Sequence, residues 1–310
     1  MLLRLAISIV VLLLIFLIGL GIYWSREPAA FVVEEKIEHY QSHTRQDSVL
    51  PGTASTLTLI HMLETLLDKP GGFISNDIMP PGVWLDNISN WEYGVLTEVR
   101  AGTQVLRDFI GRMDDKEDKD LLLAKSRLNV SHQAWAFPGA ESEYRDGISH
   151  LYQYLERLHR PDRHGAVFIH QQQPLLSWLT VISDSIEQHI RQLNASTAGI
   201  DKNEAETTPW LEIDDYFYQA RGAAWAWLHI FQAIEVDFAE LLKNHAAEQH
   251  VSATLQQLQK TQQTMRSPMV LNGSSFGLWA NHSLTMAFYL SQAREALDEL
   301  QATLHKQSAP

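Results

Sequence analysis

Residues 217–241 read FYQARGAAWAWLHIFQAIEVDFAEL, and apolar side chains return in this stretch every three or four positions. The repeating positions are Phe217, Ala220, Ala224, Trp227, Phe231, Ile234, Phe238 and Leu241. This spacing is typical of an amphipathic α-helix that packs in a bundle. Because Tyr218, Trp225 and Leu228 widen the apolar face, the stretch predicts one long helix in the centre of the fold rather than at its edge.

Helical spacing of apolar residues continues on both sides of this stretch. Further helices are predicted at residues 59–67, 93–113, 118–130, 141–159, 175–193 and 290–304. Residues 166–169, AVFI, fit either a short strand or an extended segment. Because strand-type alternation is nearly absent elsewhere, the sequence predicts an all-α fold, a bundle of about six to eight helices.

A polar segment interrupts this helical pattern in the second half of the chain. Residues 194–208 read NASTAGIDKNEAETT and contain mostly small and polar side chains. This composition predicts a flexible connection on the surface. The body that contains it, residues 25–310, is long enough for one large hydrophobic core or for two small ones.

The N-terminal segment has a different character from the rest of the chain. Residues 5–24 read LAISIVVLLLIFLIGLGIYW and contain no charged residue. A helix of about 20 residues crosses a hydrocarbon core of about 30 Å. A cleaved signal peptide is the alternative, but the apolar run is long, and bulky Tyr23 and Trp24 stand where a cleavage site needs small residues. The segment therefore predicts an uncleaved transmembrane helix, with aromatic residues at its interfacial end.

The orientation of this helix follows from the length of the tail before it. Basic residues are nearly balanced, with Arg4 on one side and Arg26 and Lys36 on the other. A tail as short as residues 1–4 favours a cytoplasmic location for the N-terminus. We therefore expect residues 25–310 on the outer side, in the periplasm of a Gram-negative host. A body that faces the cytoplasm as a tether is the alternative.

Composition and charge exclude several classes of function. The 310 residues are 45% hydrophobic and 20% charged, which is ordinary for a globular protein and excludes wholesale disorder. The formal charge of −13 argues against nucleic acid as a partner, since a nucleic-acid binder presents a basic face. The absence of cysteine excludes disulfides, thiolate metal sites and a cysteine nucleophile.

The first candidate site is the segment 71–91, GGFISNDIMPPGVWLDNISNW, which is the least helical part of the body. Ordered loops longer than about 12–15 residues are uncommon unless they have a function. The candidate binding residues here are Asp77, Trp84, Asp86, Asn87 and Trp91, with Glu92 directly after them. A structural interpretation competes with this one: the segment caps the bundle, Trp side chains fill the core, and Asn90 caps the next helix.

The second candidate site is the start of the long helix. Asp214, Tyr218 and Arg221 share one helical stripe beside the apolar face. Because an arginine on a half-buried stripe needs an anion, we expect a carboxylate from another segment, with Asp86 or Glu92 as the donor. A brace between helix and loop is the structural alternative. Gly222 inside the helix predicts the close approach of another backbone.

The third candidate site is the segment 272–282, NGSSFGLWANH. A glycine-rich stretch before a helix can offer free N–H groups to an anion, but the Lys-Ser/Thr end of a phosphate-binding loop is missing. Asn281 and His282 complete the candidate groove, although a histidine here is more often part of the core. No HExxH motif occurs, and neither a metal nor a cofactor is predicted.

Three blocks of sequence carry a resemblance to a known family: residues 71–96, GGFISNDIMPPGVWLDNISNWEYGVL; residues 209–238, PWLEIDDYFYQARGAAWAWLHIFQAIEVDF; and residues 267–287, SPMVLNGSSFGLWANHSLTMA. They resemble a proteobacterial, membrane-anchored family that is catalogued only as a domain of unknown function. The resemblance implies an envelope protein of the bacterial inner membrane with one N-terminal span. It implies no activity, cofactor or catalytic residue. The charged run at residues 111–118 departs from the family pattern.

These observations predict a protein that acts by binding, as a scaffold or an envelope-maintenance factor. Its partners are the lipid bilayer, through residues 5–24, and an envelope protein held in a groove between residues 71–91 and 214–221. A cell-wall glycan hydrolase is the alternative, with Trp84 and Trp91 stacking on sugars and Asp86 and Glu92 as acid and base. No catalytic residue is assigned under the first hypothesis.

Overall fold

A computed structural model describes residues 1–44, 48–113, 116–160, 165–197, 212–265, 267, 269–272 and 280–306. The helices in these ranges are α1 (Leu2–Trp24), α2 (Val33–Thr44), α3 (Thr53–Asp68), α4 (Asp86–Val105), α5 (Lys119–Leu128), α6 (Ala140–Leu158), α7 (Gln172–Thr197), α8 (Ile213–Asp237), α9 (Ala239–Asn244), α10 (Glu248–Thr261) and α11 (His282–Lys306). A 3₁₀ turn (Gly82–Trp84), a π-helical turn (Leu106–Ile110) and three short strands complete the fold. The all-α prediction is confirmed.

The first helix is long and apolar enough to cross a membrane. Its most apolar window has a mean hydropathy of 3.1, and Gly21 is its one buried residue. Leu17, Leu20 and Trp24 are partly buried, and every other residue of α1 is exposed. These four positions form one helical stripe, so the remainder of the fold contacts α1 along a single face near its C-terminal end.

The long helix α8 is the centre of the body, as its apolar pattern predicts. Every residue from 220 to 231 is buried, because α3, α4, α7, α10 and α11 all pack around it. The helix ends at Asp237 and does not continue to Leu241, which belongs to α9. The Asp237 carboxylate accepts the backbone N–H groups of Gly52, Ala54 and Ser55 at 2.9, 3.2 and 2.7 Å. The end of α8 therefore caps the N-terminus of α3.

The closest helix crossing joins α4 to α8 at two glycines. A Cβ atom on Gly222 would overlap with the carbonyl oxygen of Trp91, and a Cβ atom on Gly94 would overlap with the carbonyl oxygen of Gln219. Each glycine therefore lets the backbone of the other helix approach. The predicted close approach at Gly222 is confirmed, and its partner is α4.

The helix predicted at residues 93–113 is wrong at its C-terminal end. Regular helix stops at Val105, the π-helical turn follows, and strand β1 (Gly111–Met113) begins where the sequence pattern still fits a helix. β1 lies between β2 (Lys116–Glu117) and β3 (Val167–Phe168), antiparallel to both. Long-range strand pairing thus overrides the local helical pattern, and β3 confirms the strand alternative for residues 166–169.

The charged run at residues 111–118 ends in a structural contact. Asp118 is buried and caps α5 by accepting the backbone N–H of Asp120 at 2.9 Å. Arg157 of α6 donates to both oxygens of Asp118, at 2.6 Å each. This ion pair joins α5 to α6 inside the body.

The predicted connection at residues 194–208 is only partly described. Its first residues belong to α7, which ends at Thr197, and residues 198–208 lie outside the described part of the chain. At its other end α7 begins at Gln172, earlier than predicted. Pro174 fits there because a proline is tolerated in the first turn of a helix, where its missing N–H has no helical partner.

Candidate functional site

Glu92 lies near the start of α4 and is sealed from solvent by the preceding loop. Its carboxylate forms an ion pair with Lys69, with 2.6 Å between Nζ and Oε1, and both side chains are buried. It also accepts the backbone N–H groups of Ile74 and Ser75 at 2.9 and 2.8 Å, and the Ser75 hydroxyl at 2.6 Å. Glu92 therefore organises the loop, and its place in the predicted groove was wrong.

Trp91 is also buried, so the prediction that it would line a groove is wrong. Its ring packs edge-on against Trp225, with 5.3 Å between the ring centroids. The α4 backbone at this position touches Gly222. The indole therefore lies in the core, beside this close crossing of α4 and α8.

The other predicted residues of the segment 71–91 lie at or near the surface. Trp84 and Asp86 are exposed, and Asp77 and Asn87 are partly buried. Burial and then the nearby carboxylate of Glu141 raise the pKa of Asp77, although Lys69 opposes them. Asp86 is the first residue of α4, and its carboxylate accepts the Asn87 N–H at 2.9 Å.

The segments 71–91 and 214–221 touch through Asn90. The Asn90 amide donates to the Asp215 carboxylate at 2.5 Å, and the Gln219 amide donates to the Asn90 carbonyl oxygen at 2.8 Å. Asn90 therefore joins two helices, and its predicted role as a helix cap was wrong because α4 already begins at Asp86. Burial, followed by the charges of Asp214 and Asp86, raises the pKa of Asp215. The contact is thus a packed acidic junction and not an open groove.

Arg221 forms an ion pair with a residue that the sequence interpretation did not consider. Its Nε lies 2.7 Å from a carboxylate oxygen of Glu27, three residues beyond the end of α1. Its Nη1 donates to the carbonyl oxygen of Thr261, at the end of α10, at 2.7 Å. The predicted partners Asp86 and Glu92 were wrong. Arg221 braces the segment after α1 against α8 and α10, which is the structural alternative stated above.

A second contact fixes the same segment to α8. The backbone N–H of Phe31 donates to Nε2 of His229 at 3.0 Å, and the two rings stack with their centroids 3.9 Å apart. The other ring nitrogen of His229 lies 2.7 Å from the carbonyl oxygen of Trp225. Burial lowers the pKa of His229 to about 4, so the imidazole is neutral and donates from Nδ1.

The segment after α1 forms one wall of the largest described cavity that Arg221 lines. We call this cavity the Glu27 cleft; it has a volume of about 690 Å³. Its walls are residues 25–30, Tyr218, Arg221 and Trp225 of α8, and Gln262, Thr264, Met265 and Ser267 after α10. Burial and then the Glu27 charge raise the pKa of Tyr218 to about 12. The cleft therefore offers a neutral phenol, an indole, the Glu27–Arg221 ion pair and the further positive charge of Arg26.

A smaller cavity of about 280 Å³ lies on the other side of Arg221. It shares Thr264 and Met265 with the Glu27 cleft, and His282 and Tyr289 of α11 line it. The backbone N–H of Leu271 donates to Nδ1 of His282 at 2.8 Å, and burial lowers the pKa of this imidazole. His282 is thus a neutral, hydrogen-bonded group in the cavity wall.

The predicted candidates separate into four groups. Tyr218 and Arg221 line the Glu27 cleft, and His282 lines the smaller cavity. Asn281 caps the start of α11 by accepting the Leu284 N–H at 2.8 Å. The remaining candidates line neither cavity: Asp77, Trp84, Asp86, Asn87, Trp91, Glu92 and Asp214. The structure therefore moves the candidate site from the segment 71–91 to the segment that follows α1.

A carboxyl group buried in the core was missed by the sequence interpretation. Glu98 of α4 is fully buried and accepts hydrogen bonds from the Ser185 hydroxyl at 2.7 Å and the Trp227 indole at 2.6 Å. Burial raises its pKa to about 7. No sequence signal marks Glu98, because its burial depends on α7 and α8 packing over α4.

Stability should therefore fall as pH rises through neutrality, because the folded state holds the Glu98 proton that the unfolded chain releases near pH 4.5. Between pH 5.5 and 8 we expect the wild type to lose about 2 kcal/mol more than Glu98→Gln. Urea unfolding of the two full-length chains in detergent, followed by Trp fluorescence, measures this difference. The other titrating groups are common to both chains, so parallel pH profiles would contradict the assignment.

A serine nucleophile motif and a metal-binding cluster are two further arrangements that could carry chemistry. Residues 273–277 read GSSFG and match the G-x-S-x-G spacing of a nucleophile elbow, which the sequence interpretation missed. That motif works on a turn between a strand and a helix in an α/β sheet. These residues lie outside the described ranges, and the described strands form one small antiparallel sheet. Within the described residues no cluster of three His, Asp or Glu side chains suits a metal ion.

Comparison with known proteins gives one match. A family model described as an uncharacterized protein conserved in bacteria (DUF2333) matches residues 1–307. No curated protein and no solved structure matches the chain. The family description names no activity. The geometry of the Glu27 cleft is therefore the feature that bears on function.

Proposed function

We propose that this chain, which belongs to the bacterial family DUF2333, is a single-pass envelope protein that acts by binding, as a scaffold or an envelope-maintenance factor. In this proposal helix α1 is the anchor in the inner membrane, and the body, residues 25–310, lies on its periplasmic side. Support for the anchor comes from its 23 residues, which are apolar except for Arg4 and Ser8 and are mostly exposed. Side chains of this kind are stable in lipid and costly in water.

The Glu27 cleft carries the proposal that the body binds a partner. The cleft begins at Ser25, directly after the anchor, so a ligand inside it contacts the segment that joins anchor and body. Trp225 and Met265 supply apolar walls, and Arg221 supplies a guanidinium that is paired with Glu27 through Nε. One of its terminal nitrogens makes a single long contact of 3.5 Å with the Gln262 carbonyl oxygen. We infer an extended segment of an envelope protein with an acidic side chain as the occupant.

The alternative of a cell-wall hydrolase has less support from the geometry. A glycosidase needs two carboxyl groups that face one cleft, about 5–10 Å apart. Glu92 is sealed under the loop by Lys69, while Asp86 is exposed at the start of α4. The tryptophan proposed to stack on sugar beside Trp84, Trp91, is in the core. Binding is therefore the function that the arrangement supports best.

In-cell photo-crosslinking tests the binding proposal. A photoreactive amino acid at Ala29, in the Glu27 cleft, should give one discrete crosslinked partner, and the same probe at Leu122 on α5 should not. We expect Arg221→Ala to reduce the crosslinked product at least several-fold, because the partner loses its counter-charge. Arg145→Ala is the matched control, since Arg145 pairs with Asp68 on the exposed surface. An equal yield from both arginine variants would contradict the proposal.

A second variant separates binding by Arg221 from bracing by Arg221. Glu27→Gln removes the internal carboxylate that competes for the guanidinium. If the cleft binds an acidic segment, this variant should keep or increase the crosslinked product. If Arg221 acts only as a brace, Glu27→Gln and Arg221→Ala should lose the product to the same extent. A reporter of periplasmic or cytoplasmic location fused after residue 310 decides the orientation separately.

A further inference from the structure

We propose that residues 77–85, which we call the interfacial loop, insert into the headgroup region of the same bilayer that α1 crosses. Four side chains then contact lipid: Ile78, Met79, Val83 and Trp84. The inference rests on the proposed function, since it requires α1 to be the membrane anchor. It gives the segment 71–91 a role that the groove hypothesis did not foresee, because the occupant is lipid and not a peptide or a sugar.

The interfacial loop packs against α1. Gly21 is the buried residue of α1, and a Cβ atom placed on it would lie 3.5 Å from Pro81 and 3.6 Å from Leu85. One turn later, the Trp24 ring packs against Gly71 at the start of the same segment. The loop therefore lies along the last turns of an apolar helix, on the one face of α1 that is not exposed.

The position of this contact along α1 gives the depth of the interfacial loop in the proposed bilayer. Gly21 precedes Trp24 by three residues, which is about 4.5 Å along the helix axis at 1.5 Å per residue. With Trp24 at the headgroup level, Pro81 and Leu85 lie about 5 Å toward the hydrocarbon core. Apolar faces of interfacial segments insert to about 5–10 Å. The contact with α1 thus places the loop backbone at the height where such segments bind.

The large apolar side chains of the interfacial loop are exposed. Ile78 is 58% exposed, Met79 72%, Val83 52% and Trp84 56%. Four large apolar side chains within seven residues, all facing outward, form a patch that marks a contact surface. Tryptophan is enriched at membrane interfaces because its ring is amphipathic. These side chains gain contacts when the loop enters the bilayer surface.

The arrangement of polar groups in the interfacial loop also favours insertion. Pro80 and Pro81 carry no backbone N–H, which lowers the cost of moving this turn out of water. The carboxylate of Asp77 packs against Gly82 inside the loop, where even a Cβ atom on Gly82 would overlap with it. The loop therefore turns its charge inward and its apolar side chains outward. Since the chain carries a net charge of −13, anionic lipid does not attract it, and insertion is apolar.

A pair of exposed aromatic residues lies beside the interfacial loop. The Asn76 amide donates to the carbonyl oxygen of Ala134 at 3.1 Å, which fixes the neighbouring loop in place. Trp135 and Phe137 follow directly on that loop, and both are exposed. They extend the apolar surface next to the proposed insertion site.

Spin labels measure the depth of each position directly. The chain contains no cysteine, so a single introduced cysteine carries the only label. We would place the label in four full-length variants, Met79→Cys, Val83→Cys, Leu12→Cys and Leu122→Cys, each reconstituted in phosphatidylcholine vesicles. Relaxation by oxygen, which concentrates in lipid, is compared with relaxation by a water-soluble nickel chelate. Leu12 reports on the anchor, and Leu122, exposed on α5, is the aqueous control.

The outcomes distinguish this inference from the proposal on which it rests. We expect labels at Met79 and Val83 to lose nickel relaxation and gain oxygen relaxation relative to Leu122, at a shallower depth than Leu12. Aqueous labels at Met79 and Val83 with a lipid-embedded label at Leu12 would overturn the interfacial loop and leave the anchor intact. An aqueous label at Leu12 would overturn the anchor itself. Insertion that appears only after anionic lipid is added would overturn the apolar mechanism.

Discussion

Replacing Gly222 with alanine is expected to lower the free energy of unfolding by about 3 kcal/mol or more, the upper end of what overpacking costs. The added Cβ atom overlaps with the carbonyl oxygen of Trp91, and a backbone atom in the middle of a helix cannot rotate away. Helices α4 and α8 must therefore separate along the most extensive contact of the body. Because α8 also packs against four other helices, the separation disturbs the whole core.

Urea unfolding of the full-length chain in detergent, followed by Trp fluorescence, gives the change from the shift in midpoint. Gly139→Ala is the matched control, because its new Cβ atom has no neighbour closer than 3.8 Å and its φ of −75° suits alanine. We expect the control to stay close to the wild type. A midpoint for Gly222→Ala that equals the control would show that the two helices cross with more space than the structure has.

Replacing Lys69 with methionine is expected to cost about 3–5 kcal/mol, because it leaves the Glu92 carboxylate buried without its counter-ion. The ammonium group of Lys69 also donates to the carbonyl oxygen of Gly72 at 2.7 Å, and this acceptor loses its partner as well. Burial raises the pKa of Glu92, and Lys69 opposes that effect. The variant should therefore bind a proton on Glu92 more readily, and its deficit should shrink as pH falls.

Two further variants test the reason for this loss. Lys69→Met combined with Glu92→Gln should recover part of the stability, since no charge is left in the core. Arg145→Met breaks an ion pair with Asp68 in which both side chains are more than half exposed, and it should cost less than about 1 kcal/mol. Equal losses for Lys69→Met and Arg145→Met would mean that the Lys69 pair is solvated.

The periodic spacing of apolar residues predicted correctly the helices that bury a face along their whole length. The pattern from Phe217 to Phe238 predicted a central helix, and α8 is central, with every residue from 220 to 231 buried. It failed near Gly111, where pairing with β2 and β3 stops the helix. The pairing with β3 joins segments more than 50 residues apart, so no local window of sequence contains it.

The candidate site was less predictable than the fold, for a related reason. The need of Arg221 for a carboxylate followed from its place on a half-buried stripe, and the structure confirms that need. The identity of the carboxylate did not follow, because Glu27 lies 194 positions earlier in the chain. Nothing in the sequence beside Glu27 distinguishes it from the other acids of the body. Glu92 shows the converse case, since its contacts with Ile74 and Ser75 are local and its counter-ion Lys69 directly follows α3 in the same part of the chain.

The two contacts that fix residues 25–31 also set how far the body reaches from its anchor. A flexible linker of this length would let the distance between its two ends vary over about 15 Å. Here Glu27 is held by Arg221 and Phe31 by His229, so the segment that follows α1 is fixed to α8 at two points. With α1 in the bilayer, as proposed above, this attachment keeps the body at a constant distance from the membrane surface, and the protein searches in two dimensions only. Partners must bring their own binding segment down to the membrane surface to be captured.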